Sequence, residues 1–206
     1  GSTRGPTQRT RLSPDQRREQ LLDLGTRLLA HRSLDELSID LLAEEAGVSR
    51  GLLYHYFGSK QGFHEAVVRH AADDLIAQTA PPDGGAPLER LLTSVAAYVD
   101  YVAANHEGYV SLVRAAAGGS ENLRAIYEDA RSALSERVFR DDPAGQLVSD
   151  TPLNRLVVRG WSAMVEELVL SWIDEPREVT RDQLLVMITE SLPAVLEATS
   201  HDGNRR

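Results

Sequence analysis

Between Ser49 and Lys60 the chain reads Ser-Arg-Gly-Leu-Leu-Tyr-His-Tyr-Phe-Gly-Ser-Lys. Guanidinium, imidazole and phenol groups at this density can donate hydrogen bonds to base edges and phosphate oxygens, which is the chemistry of nucleic-acid contact. Arg50 and His55 are candidates for base edges, with Tyr54 and Tyr56 beside them. The hydroxyls of Ser38 and Ser49 and the ammonium of Lys60 suit phosphates. Covalent and metal chemistry finds no comparable cluster. The chain has no cysteine, which excludes thiolate nucleophiles, thiolate metal sites and disulfides. It has no Gly-x-Ser-x-Gly elbow, and Gly118-Gly119-Ser120 is followed by no Gly-Lys-Ser/Thr. His64-Glu65 invites a zinc reading, but the next histidine, His70, falls about 240° further round a helix. No catalytic residue, metal or cofactor is therefore expected, and the chain is not read as an enzyme.

The elements around this stretch explain how it could be presented. Ser38 can cap a helix by accepting from an orphan N–H of its first turn. Ile39, Leu42, Ala43 and Ala46 then form one apolar stripe. Gly47 suits the left-handed residue that ends such a helix. Ser49 can cap the next helix, with Val48 and Leu53 as a hydrophobic staple. Leu53 and Phe57 point inward, which leaves Arg50, Gly51, Leu52, Tyr54, His55 and Tyr56 on the outer and flanking faces. Two short helices with a tight turn and an open polar-aromatic face make a helix-turn-helix. Spacing alone leaves an ordinary helical hairpin equally open.

The run Leu42-Ala43-x-x-Ala46-Gly47-Val48-Ser49-x-Gly51-x-Leu53-Tyr54-x-Tyr56-Phe57-x-Ser59-Lys60 closely resembles the DNA-binding signature of the TetR family of bacterial transcription regulators. The resemblance covers roughly residues 14 to 70; beyond them it extends only to length and helical pattern. Two positions depart from the pattern. Ser33-Leu34 stands where Gly and an aromatic are frequent, and Leu52 where a hydroxyl residue is. Leu52 leaves at most an apolar contact, for instance to a thymine methyl. The resemblance implies a homodimer on a near-palindromic double-stranded DNA operator, controlled by a small-molecule effector held in a C-terminal body.

The formal charge of −9 looks wrong for such a protein until it is divided. Residues 1–70 hold 10 Lys and Arg against 9 Asp and Glu, net +1; the remainder holds 12 against 22, net −10. Arg4, Arg9 and Arg11 form a basic arm over residues 1–12, which suits a minor groove or phosphates and equally a solvated tail. Lys60 is the only lysine, against 21 arginines.

Taken in order, Ser13-Pro14 opens a helix that should run to about His31 and complete a DNA-binding head over residues 13–80. Lys60 to about Ala77 links head to body. Pro81-Pro82-Asp83-Gly84-Gly85-Ala86-Pro87 breaks the chain. The body, residues 81–200, should hold helices over 88–105, 106–117, 120–140, 151–173 and 178–197, with Pro193 loosening the last turns. Residues 201–206 are expected to be a disordered tail. Beside the core stripe of the helix at 88–105 runs a second one, Ser94, Tyr98, Tyr101 and Asn105, which reads as a half-exposed face. The fold expected is all-α, with about nine helices. No apolar run approaches the ~20 residues a membrane helix needs. With no apolar signal-peptide core, the cytoplasm is the expected compartment.

The helix at 151–173 is apolar on more than one face, so it needs a partner on a second side. The resemblance supplies one, since TetR-like proteins dimerise through their last two long helices. Leu156, Gly160, Met164, Leu168, Leu184 and Ile188 are the interface candidates. For an effector pocket the candidates are Tyr98, Tyr101, Tyr109, Arg114, Tyr127, Trp161 and Glu166. Arg114 would meet an anionic end of a mostly apolar ligand, and Glu166 a cation. The alternative is a helical ligand-binding or interaction protein that reads no DNA sequence, supported by Leu52 and the weak charge balance of the head.

Overall fold

The structure is a computed structural model that describes residues 11–200. Arg4 and Arg9 of the arm and the tail from His201 to Arg206 lie outside the described residues. Within them the chain is helix and loop. The elements are α1 Pro14–Leu29, a 3-10 turn Leu34–Glu36, α2 Ile39–Ala46, α3 Arg50–Phe57, α4 Lys60–Gln78, α5 Pro87–Ala104, α6 His106–Ala117, α7 Glu121–Arg140, α8 Pro152–Asp174 and α9 Arg181–Ser200.

Local side-chain chemistry sets most of the helix starts. Ser13 accepts from the Gln16 N–H while the Gln16 amide accepts from the Ser13 N–H, a reciprocal box ahead of Pro14. Thr180 and Gln183 make the same exchange. That box moves the start of α9 to Arg181, later than the composition predicts. Its end also differs from expectation, because α9 runs through Pro193 to Ser200. Leu192 and Leu196 are buried on either side of the proline, and their packing carries the helix past the missing N–H.

Two cores result. Leu21, Leu42, Leu53, Phe63 and Val67 centre the first, and Leu123 and Ile126 of α7 close it from outside. Val99, Val102, Val158, Val169, Ile188 and Leu192 centre the second. The N-terminal helices thus borrow two side chains from the body. Other ties cross the same junction. A Cβ on Gly108 would stand 2.3 Å from the Leu29 carbonyl oxygen, so only glycine lets α6 approach α1 this closely. The Leu34 N–H donates to Ser111 Oγ at 2.6 Å. Tyr101 donates to the Ala71 carbonyl of α4 at 3.1 Å.

Candidate functional site

The first site is the face formed by α2 and α3. Ser38 caps α2 by accepting from the Leu41 N–H at 3.0 Å, and Ser49 caps α3 by accepting from the Leu52 N–H at 3.2 Å. Both hydroxyls keep a proton to donate elsewhere. Gly47 turns the chain between them at φ +65°. Leu53 and Phe57 are buried, which rotates Arg50, Gly51, Tyr54 and His55 outward. Leu52 and Tyr56 are half-buried, and Tyr56 packs against the first core, so its ring is in part structural. Ser49 and Lys60 are exposed and Ser38 half-buried. Arg50 is not free: its Nε lies 2.7 Å from Asp40 Oδ1 on α2. The sequence reading missed this pair. Asp40 sits in the first turn of α2, and only the folded turn brings it to Arg50.

The second site is a cavity of about 170 Å³ between head and body. Thr26 and Leu29 of α1 and Val68, Ala71 and Leu75 of α4 line it from the head side. Helices α5, α6, α7 and α8 supply the other walls. Tyr98, Tyr101, Tyr109, Tyr127, Trp161 and Glu166 all border it. The stripe Ser94, Tyr98, Tyr101 and Asn105, expected to be a half-exposed face, faces this cavity instead of solvent.

Arg114 is a correction. It is exposed and stands outside the lining. The cavity side of α6 carries Gly108, Tyr109 and Leu112, and Arg114 lies about 140° round the helix from Tyr109.

Four polar side chains on four helices meet in the wall. Tyr127 donates to Glu166 Oε1 at 2.5 Å and Tyr109 donates to Glu166 Oε2 at 2.7 Å. The hydroxyls of Tyr98 and Tyr109 are 2.8 Å apart. Because the Tyr109 proton is given to Glu166, Tyr98 is the donor of that bond. Burial, with Glu166 close by, pushes the hydroxyls of Tyr98, Tyr109 and Tyr127 well above the usual phenol range. They are neutral donors at any physiological pH. Arg131 lines the same cavity and stands 6.0 Å from the Tyr127 ring centroid. Deeper along α7, Arg137 donates to the Ile76 carbonyl, Thr79 Oγ1 and Ser94 Oγ, and burial lowers its basicity. The sequence reading missed both arginines. Arg131 follows Tyr127 by four residues, a helical spacing that could have flagged it. Trp161 donates from Nε1 to Ser191 Oγ at 2.9 Å, which fixes its ring in the wall.

The interface candidates divide. Helix α8 buries Asn154, Val158, Trp161, Val165 and Val169 and turns Leu153, Leu156, Gly160 and Met164 outward, with Leu168 half-buried. Leu156 is 69% exposed, and no side chain comes within 4 Å of a Cβ built on Gly160. Leu184 and Ile188 are corrections: both are buried inside the protomer, because α9 gives that face to the second core. The apolar side chains α9 leaves exposed are Val186, Met187 and Val195. Among the described residues no helix is long and apolar enough to cross a membrane.

A helix-turn-helix head packed on a helical body defines a class of DNA-binding proteins, and sequence comparison identifies the family. Residues 21–67 match the family described as "Bacterial regulatory proteins, tetR family", and residues 87–194 match "Tetracyclin repressor-like, C-terminal domain". The chain belongs to the TetR family of DNA-binding transcription regulators. It is 26% identical over 189 residues to the HTH-type transcriptional activator FasR of Mycolicibacterium smegmatis, covering 88% of this chain and 82% of that protein. A TetR-family regulator from Streptomyces coelicolor superposes with a TM-score of 0.80 at 32% identity, over 92% of this chain and 84% of that one. Two more distant solved structures share the fold alone. One, from Saccharomonospora viridis, is in complex with choline, at 17% identity and TM-score 0.66 over 89% of this chain and 96% of that one. The other, FadR from Bacillus subtilis, is in complex with stearoyl-CoA, at 15% identity and TM-score 0.59 over 86% and 96%.

Proposed function

We propose that this chain is a homodimeric, effector-controlled repressor, acting on DNA in the cytoplasm, whose α3 enters the major groove of a near-palindromic operator. One observation carries the effector part: the same cavity is bordered by α1 and α4 of the head and by α5 to α8 of the body. A ligand there touches both units at once. It can release DNA only by binding the released arrangement more tightly than the DNA-bound one, and α4, with Gly108 against α1, is the mechanical link. Arg50 and His55 read bases, while Ser38, Ser49 and Lys60 hold phosphates and set register. The exposed face of Leu153, Leu156, Gly160 and Met164, beside Val186 and Met187, pairs with its copy about a two-fold axis. The ligands of the choline and stearoyl-CoA complexes differ widely in polarity, so effector chemistry must be argued from this chain's own walls.

Selection of bound duplexes from a random pool tests the reading. A near-palindrome is expected, because a two-fold dimer presents two equivalent recognition helices. Binding without preference for any sequence would overturn it. In sedimentation the wild type is expected to be a dimer, and Leu156→Glu with Met164→Glu a monomer or an aggregate. A well-folded wild-type monomer at micromolar concentration would remove the interface. A second reading, regulation by activation, takes support from the name of FasR. Transcription in vitro from a template carrying the selected site separates the two by the sign of the protein's effect.

A further inference from the structure

The polar wall of the cavity has a chemistry that selects its ligand. In the cluster of Tyr98, Tyr109, Tyr127 and Glu166 every hydroxyl proton is committed, whereas the buried Thr26 hydroxyl on the head side of the lining has no partner. Tyr98 donates to Tyr109, Tyr109 donates to Glu166 Oε2, and Tyr127 donates to Glu166 Oε1. What remains on these four side chains is lone pairs on three phenol oxygens and a carboxylate. The cluster can therefore accept further hydrogen bonds and has no proton of its own to offer. The carboxylate also lacks a counterion: among the described residues no cation lies within ion-pair distance of Glu166. Arg131, on the cavity wall, is directed over the Tyr127 ring. A half-buried carboxylate whose hydrogen bonds come only from neutral donors has no ion-pair partner, an arrangement that is costly away from water.

Beyond this acceptor cluster apolar side chains make up much of the lining, interrupted on α7 by Arg131 and Arg137. Trp161 and Val165 flank the cluster on α8, and Leu91, Val95, Leu134 and Val138 continue the lining. Tyr127 and Val138 are eleven residues apart on α7, roughly 16 Å along the axis. The apolar lining therefore extends well beyond the cluster.

We propose that this cavity takes an organic ammonium ion, its charged head on Glu166 and the oxygens of Tyr98, Tyr109 and Tyr127, and its apolar tail along α5 and α7. This rests on the effector-controlled reading above and gives it a ligand class. The ammonium supplies the N–H donors and the positive charge that this four-residue cluster lacks, and aromatic rings beside it add cation–π attraction. Arg131 and Arg137 are the groups an anionic ligand would use, so the opposite charge makes the direct control.

The test uses the full chain with Trp172→Phe, so that the emission that follows ligand comes from Trp161. Decylammonium, decanol and decanoate share one tail and differ only in the head. Decylammonium is expected to bind at least tenfold more tightly than decanoate. Glu166→Gln should weaken decylammonium about tenfold or more while changing decanol less than threefold, since decanol reports whether the cavity is intact. Tyr127→Phe keeps the charge and removes one oxygen, and should weaken decylammonium two- to fivefold, a milder loss that also serves if Glu166→Gln folds poorly. Decanoate binding more tightly than decylammonium overturns the proposal, as does an equal loss of decylammonium and decanol in Glu166→Gln. Release of a selected DNA duplex is measured separately. If decylammonium binds and the duplex stays bound, the regulatory reading fails and the site assignment stands. If the duplex binds tightly and no decylammonium is taken up, the site assignment alone fails.

Discussion

Arg50, Tyr54 and His55 stand on a single two-turn helix and face outward, whereas Tyr98, Tyr109, Tyr127 and Glu166 come from four helices, with Tyr109 and Glu166 57 positions apart. The first group is held in place from behind: Leu53 and Phe57 anchor the helix, the Ser49 hydroxyl caps its start, and Arg50, Tyr54 and His55 are exposed. The second group is held by its own members, each hydroxyl oriented by the next. On the proposed function, the face offered to DNA carries exposed groups, whereas the cavity offered to an effector carries groups whose protons are already assigned, so that the ligand's donors would decide the fit.

The largest effect should come from the anchors. Leu53 is fully buried in the first core, and Leu53→Ala should cost about 2–5 kcal/mol. If the two sites rest on separable supports, DNA binding is lost while Trp161, in the Trp172→Phe background, keeps its native emission. If Trp161 emission shifts with it at the same denaturant concentration, the side chains that α7 lends to the head make the two cores melt as one, and the contrast fails.

The same contrast explains what could be read from the amino-acid order. Ser38, Gly47, Ser49 and Ser59 act on residues within four positions of themselves, so caps, turn and outward face of the head follow from local spacing. The body's helices were legible for the same reason. Their mutual rotation was not. Whether the stripe Ser94, Tyr98, Tyr101 and Asn105 meets water or a cavity depends on where α6, α7 and α8 dock, and no local rule fixes that. Arg114 fell outside the cavity through an error of about 140° in helical phase. Helix α9 shows the limit from the other side: periodicity identified Leu184 and Ile188 as an apolar face, and only packing reveals that the protomer itself consumes it.

Within the head, the next effect separates reading from holding. Arg50→Ala should cost about 1–3 kcal/mol on the selected sequence and much less on random duplex, if its guanidinium pairs with one base. Lys60→Ala should weaken both duplexes alike and lower the salt slope by about one. Competition titrations at several salt concentrations measure both. Equal losses on cognate and random DNA for Arg50→Ala would count against base readout.

In the body, alkaline pH probes how closed the second site is. Burial raises the hydroxyls of Tyr98 and Tyr109 above their ordinary 10.0. Up to about pH 9 both folded and unfolded chains keep these protons, so their contribution is intact. Above it the unfolded chain loses them first, and stability falls as pH rises. The loss should reach roughly 1 kcal/mol per tyrosine by pH 11. Urea melts at pH 8 and pH 11 should show a steeper decline for the wild type than for Tyr98→Phe with Tyr109→Phe. Parallel declines would mean that these hydroxyls sit in water, like the side chains of the head.

The smallest effect tests whether the DNA face is as loosely held as it looks. Asp40 pairs with Arg50 at 2.7 Å, with the two side chains 67% and 62% exposed. A pair this open contributes about 0–1 kcal/mol, so Asp40→Ala should barely move the melting curve. Its consequence for DNA has a definite sign. Asp40 is a negative charge in the first turn of α2, beside the guanidinium meant for a base. DNA binding must draw Arg50 away from it and bring phosphates nearer to it. Removing the carboxylate removes both costs, on any sequence. Asp40→Ala is therefore expected to raise affinity for random duplex about two- to fivefold at low salt, with the gain shrinking as salt rises. Affinity for the selected sequence should rise by a similar factor, so the preference between the two should hold. Weaker binding to random and selected DNA alike would show that Asp40 aims Arg50 instead of restraining it. The head would then share the device of the cavity, one side chain orienting another, and the contrast between the two sites would be one of exposure alone.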